Sequence, residues 1–128
     1  MGTLPNITTT RAADEAARRR QSRAALVLAD LLAEDLPELV WIIPPREVAV
    51  PFLRGAVPGA ARFDAEFAEH AAAVHAWAGF LQAAPEWVPL HDGGPCGAGG
   101  ELTATGWHMG VRVVVRAWLP AAPEGGPR

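Results

Sequence analysis

The sequence predicts an α+β domain in two layers, an antiparallel sheet of four to five strands with two helices packed on one face. The elements are expected in the order helix, strand, strand, helix, strand, strand, strand. Three observations lead there. Residues 11–36 and 61–84 repeat apolar side chains at i, i+3, i+4. "ELTATGW" and "VRVVVRAWL", near the C-terminus, alternate with period two. Between the helical stretches, short apolar runs are cut off by Pro and Gly. Two amphipathic helices need one apolar surface to cover, and successive strands can close as antiparallel hairpins. The far face of the sheet is then open or covered by a partner.

The first helix is expected from about Arg11 to Leu36. Thr9 or Thr10 can cap it, and Asp14 and Glu15 suit a first turn. Ala17, Ala24, Leu28, Leu31 and Leu32 would line its inner face, and Pro37 would end it. "LVWII", residues 39–43, is too short and too β-branched for a helix, and reads as a buried strand bounded by Pro44-Pro45. "PFLRGAV", residues 51–57, reads as a second strand, followed by a Pro58-Gly59 turn. The second helix should run from about Ala61 to Ala84. Phe63, Phe67, His70, Val74, Trp77, Ala78 and Leu81 would line one face, with Pro85 as the stop. "EWVPL" reads as a short edge strand, because Pro89 could not sit in a central one. The last two strands are joined by "HMG", where Gly110 can take positive φ. On the final strand Val111, Val113, Val115, Ala117 and Leu119 share one side, and Arg112, Val114, Arg116 and Trp118 the other.

The ends fit this frame. Residues 1–8 have no apolar periodicity and are expected to be loose. Residues 120–128, with three prolines and two glycines, read as a disordered tail. That leaves 9–119 as one domain, and 128 residues are enough to bury a core without disulfides or metals. Half the residues are apolar and a fifth charged, as in soluble globular proteins. No apolar run approaches the ~20 residues of a membrane span, and the N-terminus lacks the pattern of a secretory signal. The sequon-like Asn6-Ile7-Thr8 therefore carries no expectation of glycosylation. A single cysteine agrees with a cytoplasmic location. The net charge of −3 argues against a general nucleic-acid coat. All the positive side-chain charge is arginine, with no lysine and no tyrosine, a composition that suggests a GC-rich genome.

Several stretches could carry chemistry. "PLHDGGPCGAGGEL", residues 89–102, strings His91, Asp92 and the lone Cys96 through five glycines. A phosphate loop would lead into a helix, whereas this one leads into an alternating strand and lacks GK[ST]. Glycines on both sides oppose the fixed geometry a catalytic group needs, so the segment reads as a link between strands. His70 and His75 are five apart, about 140° on a helix, and do not match the i, i+4 zincin spacing. Glu66 and His70 could share an ion, but no third ligand is fixed by spacing. No GxSxG, HExxH or CxxC pair occurs, so neither an enzyme nor a cofactor or metal site is expected.

Two arginine groups remain. Arg18, Arg19, Arg20 and Arg23 crowd the N-terminal half of the first helix, while Asp30, Glu34 and Asp35 occupy its C-terminal half. That polarity opposes the helix dipole, at ~0.3–1 kcal/mol per unpaired terminal charge. Asp14–Arg18 and Glu15–Arg19 are favourable i, i+4 pairs, leaving Arg20 and Arg23 over. The group reads as a solvated, partly paired face, or as a contact for an anionic partner. On the outer sheet face, Arg112, Arg116 and Trp118 stand beside Thr103, Thr105 and Trp107. Arginines among tryptophans suit base stacking. The same residue types also favour sheets for packing reasons alone, and Trp107 and Trp118 could form a cross-strand pair or a homodimer contact.

"LADLLAEDLPELVWII" (28–43), "FLRGAV" (52–57), "AVHAWAGFL" (73–81) and "GVRVVVRAWL" (110–119) are similar to a group of small, uncharacterised actinobacterial proteins of streptomycete type. Those proteins are often encoded near phage-like or integrative elements. In the group the last strand usually carries Val-Trp-Ala, whereas "VVRAW" here places Arg116 where the tryptophan is expected. The resemblance spans about three quarters of the chain and implies an accessory role, with no catalytic residue to carry over. The expectation is a non-enzymatic interaction module, self-associating or bound to a protein partner through Trp107, Arg112, Arg116 and Trp118. The alternative is single-stranded nucleic-acid binding through that face together with Arg18, Arg19, Arg20 and Arg23.

Overall fold

The strand that appears last in the chain sits in the middle of the sheet. In the computed structural model, residues 3–44, 50–58, 64–89 and 99–120 are described, the side chains of 3–10 and 64–65 excepted. They form α1 (Thr3–Leu32), β1 (Val40–Ile42), β2 (Phe52–Ala56), α2 (Asp64–Leu81), β3 (Glu86–Pro89), β4 (Gly100–His108) and β5 (Val111–Leu119). The five strands make one sheet in the order β1-β2-β5-β4-β3.

The α+β class stands, but the sheet is mixed and not antiparallel. β1–β2, β3–β4 and β4–β5 pair antiparallel, while β2 and β5 pair parallel, with Leu53 opposite Val113 and Gly55 opposite Val115. A hairpin cannot join parallel neighbours. α2 carries the chain back along the sheet, and β3 and β4 then return it beside β2.

The core lies between the helices and one face of this sheet. Ala24, Val27 and Leu31 of α1 and Val74, Trp77, Ala78 and Leu81 of α2 bury against it. The sheet contributes Leu53, Leu102, Ala104 and the alternate residues Val111, Val113, Val115, Ala117 and Leu119. Period-two alternation places those five β5 side chains on one side, and all are 3 % exposed or less.

Trp77 fixes the helix layer in two ways. Its indole Nε1–H donates to the Pro37 carbonyl at 2.8 Å. Its rings also meet Trp41 and Phe80 edge-on, with centroids 5.3 and 5.9 Å apart. Close approach to the sheet requires glycine at Gly106, where a Cβ would lie 2.9 Å from Leu81 Cβ.

Several boundaries differ from expectation. α1 begins at Thr3, so it takes in residues 3–8, and Thr9 and Thr10 lie inside the helix and not at its cap. Asp14 and Glu15 are likewise beyond its first turn. Pro5 is tolerated because the first-turn N–H groups have no intrahelical acceptor. At the other end the last turn tightens, with Ala33 N–H donating to Asp30 and Glu34 N–H to Leu31. The helix therefore stops at Leu32, ahead of Pro37. Leu32 is 65 % exposed and Val27 takes its place in the core.

α2 ends at Leu81, before Pro85, through a Schellman arrangement. Gln82 N–H donates to Gly79, Ala83 N–H donates to Ala78, and Gln82 holds φ at 55°. The expected terminus at Ala84 rested on proline alone, and without a glycine the left-handed stop left no mark in the sequence. The final hairpin turn is Met109-Gly110, with φ of 52° and 80°, as a type I′ turn requires. His108 belongs to β4, opposite Val111, and not to the turn.

Candidate interaction face

Whatever alternates away from the core must form the second face of the sheet, and the register assigns its residues. One row runs Phe52, Arg112, Trp107; the next Ile42, Arg54, Val114, Thr105. The third runs Val40, Ala56, Arg116, Thr103, Glu86, and the fourth Trp118, Glu101, Val88. Neither α1 nor α2 covers these rows, because the core draws both to the opposite side.

The rows bring together the four predicted sheet residues, though not as a tryptophan pair. Trp107 lies opposite Arg112, and Trp118 opposite Glu101. Three row steps separate the two indoles, roughly 20 Å at ~3.3 Å per residue. Trp107 is 60 % exposed and Trp118 42 %.

The arginines here already have neighbours. The Arg112 guanidinium stands 5.7 Å from the Phe52 ring centroid, within cation–π range. Arg116 Nη1 reaches Glu101 Oε1 at 3.5 Å. Phe52, Arg54, Val40, Ile42, Val88 and Glu101 also belong to the face and were not singled out from sequence. The alternation in "FLRGA", with Leu53 and Gly55 turned to the core, carried that signal for β2.

The helical arginines lie elsewhere. α1 is on the core side, so Arg18, Arg19, Arg20 and Arg23 do not share a surface with Trp107 and Trp118. Arg19 pairs with Glu15 at 3.7 Å, and Arg18 Nε donates to the Asp14 main-chain oxygen at 3.5 Å. Arg23 Nη2 donates to the Met109 carbonyl at 2.6 Å. Arg20, expected to be left over, is engaged as well. One heptad beyond Arg23, Asp30 Oδ2 meets His108 Nε2 at 2.8 Å, and the His108 ring also packs on Phe80 at 5.1 Å. These contacts hold α1 against the β4–β5 hairpin, so this arginine and aspartate have structural employment.

His91, Asp92, Cys96 and Phe63, together with the tail from residue 121, lie outside the described residues. Among the described residues no group of three or more His, Cys, Asp or Glu side chains could hold a metal ion. Nor is any helix among them long and apolar enough to cross a membrane. Compared with protein-family models, with characterised proteins and with solved structures, the chain matches none.

Proposed function

We propose that this protein is a non-enzymatic interaction module that docks a protein surface on its uncovered sheet face. One observation carries the reading. Val40, Ile42, Val88, Trp107 and Trp118 are 42–60 % exposed, and the register puts all five on that one face. Scattered exposed apolar residues need no explanation, whereas five of them standing around one sheet face, with Arg54, Arg112 and Arg116 on its inner strands, offer a partner apolar and charged contacts together. Five strands at ~4.8 Å and a length of ~20 Å give roughly 500 Å² in projection. That is the same order as the roughly 800 Å² each partner contributes to a standard interface. An accessory role of this kind agrees with the resemblance to small actinobacterial proteins.

Single-stranded nucleic acid suits the geometry less well. Its phosphates need a large surplus of cations, whereas this face sets Arg54, Arg112 and Arg116 against Glu86 and Glu101, with Arg116 already paired to Glu101. The test is a photo-reactive amino acid at Thr105 on the open face, with Ala29 on the exposed side of α1 as control, in the cells that make the protein. Protein adducts from position 105 and not from 29 are expected. No adduct at 105, or tight binding of a labelled oligonucleotide that weakens steeply with salt, would overturn the reading.

A further inference from the structure

The charges on the open face are sorted by strand. Its three arginines, Arg54, Arg112 and Arg116, stand on the neighbouring strands β2 and β5, and its glutamates, Glu101 and Glu86, on β4 and β3. Among the aromatic residues, Trp107 on β4 lies in the same row as Arg112 on β5, while Phe52 stands on β2 and Trp118 on β5. A surface divided this way into basic and acidic halves is complementary to itself. Resting on the docking role proposed above, we propose that the occupant of the face is a second copy of this chain, related by a two-fold axis that runs along the strands between β5 and β4.

The symmetry fixes the contacts. Such an axis lays β5 of one copy over β4 of the other, and β2 over β3. Two sheets packed face to face keep their strands within about 30° at a spacing of about 10 Å, with inner side chains interleaved. Arg112 then stands over the second copy's indole at position 107, and Trp118 over its position 101. Arg116 faces position 103, one row from the glutamate at 101. Arg54 lies one row from the glutamate at position 86, about 7 Å along the strand, a distance that the length of an arginine side chain spans. Every contact occurs twice, as an isologous interface demands. An axis over β5 itself would set Arg112 and Arg116 against their own copies, and like charges so placed repel. A partner of uniform sign would satisfy one half of the face and oppose the other. Only a partner divided in the same way satisfies both.

Charge reversal tests the arrangement. The size of the intact protein is measured by sedimentation equilibrium for wild type, Arg54→Glu, Glu86→Arg and the double variant Arg54→Glu/Glu86→Arg, with circular dichroism to verify folding. The wild type is expected to be a dimer. Each single reversal, repeated twice per dimer, weakens association about tenfold or more at low salt, and the double reversal restores it to within about threefold. Thr103→Arg, which sets Arg116 of one copy against an introduced arginine of the other, weakens it in the same sense. A folded wild-type monomer at ~100 μM overturns the second-copy assignment, as does a dimer in which the two reversals add without restoring. If position 105 crosslinks to a different protein while the chain sediments as a monomer, the docking role stands and the second copy falls. If position 105 crosslinks to nothing, both fall.

Discussion

The Arg23 guanidinium donates to the carbonyl oxygen of Met109 at 2.6 Å, tying the middle of α1 to the tip of the β4–β5 hairpin. Met109 is the residue that most needs such support. It holds φ at 52°, in the left-handed region where its Cβ crowds the backbone by about 1–2 kcal/mol. Asp30 adds a second tie to the same hairpin through His108. Replacing Arg23 by Ala should therefore lower stability by about 1 kcal/mol, since charge-assisted hydrogen bonds contribute more than neutral ones but this one is exposed. Urea denaturation of wild type and R23A measures it. An unchanged midpoint would remove the tie.

Met109 gives the opposite prediction. A type I′ turn favours Asn-Gly, and asparagine tolerates left-handed φ where methionine resists it. Met109→Asn should raise stability by about 0.5–1 kcal/mol. Gly110→Ala, at φ 80°, should lower it by at least as much. Thermal melts of the two variants should move in opposite directions. The same reasoning applies at the end of α2, where Gln82→Gly relieves a side chain at φ 55° and should stabilise by about 0.5–1 kcal/mol.

Gly106 tests how closely α2 approaches the sheet. A Cβ there would stand 2.9 Å from Leu81 Cβ and 3.0 Å from the Leu81 carbonyl oxygen. Neither atom is the far end of a flexible chain, so the helix terminus itself must shift. Gly106→Ala should cost about 1–3 kcal/mol. Gly79→Ala, where a Cβ meets nothing within 4 Å, should be neutral or stabilising in the helix. Chemical denaturation of the pair separates close packing from a general intolerance of alanine.

The five tryptophans fall into two optical classes. Trp41, Trp77 and Trp87 pack with the core, while Trp107 and Trp118 are exposed. In the dissociated Arg54→Glu background, Trp107→Phe/Trp118→Phe should lose the acrylamide-accessible, red-shifted part of the emission with little change in melting temperature. Trp77→Phe should instead cost about 1–2 kcal/mol, because the Pro37 carbonyl loses its donor. Fluorescence quenching and a melt on each variant distinguish the two classes.

Much of the fold was legible, and the misses have physical reasons. The alternation in β4 and β5 fixed their inner faces, since shifting a strand by one residue would bury arginines. The element at 51–57 and the edge strand carrying Pro89 likewise appear as β2 and β3, and 39–43 contains β1, but β1 is an edge strand with Val40 and Ile42 exposed and not the buried strand its apolar run suggests. The parallel contact between β2 and β5 was missed because neighbouring strands were assumed to pair as hairpins. Parity gives the direction, since α2 returns the chain to the end where β2 began and both β3 and β5 then run with β2, but it does not say which of them lies beside β2. The face residues of β5 and β4 were legible from alternation. Their separation from Arg18, Arg19, Arg20 and Arg23 follows from the expectation that both helices cover the other face; what alternation does not carry is which strands are neighbours, because that pairing joins distant segments of the chain.

The parallel contact also bears on how the chain reaches its native state. Phe52 lies opposite Arg112, so the β1–β2 hairpin can find its place only once the last strand has emerged from the ribosome. Until then β2 presents a bare edge, and the apolar sides of α1 and α2 have no complete surface beneath them. Distant pairings of this kind slow folding and prolong exposure to aggregation. Nascent chains whose β5 is still inside the ribosome should therefore rely on chaperones more than chains from which it has emerged.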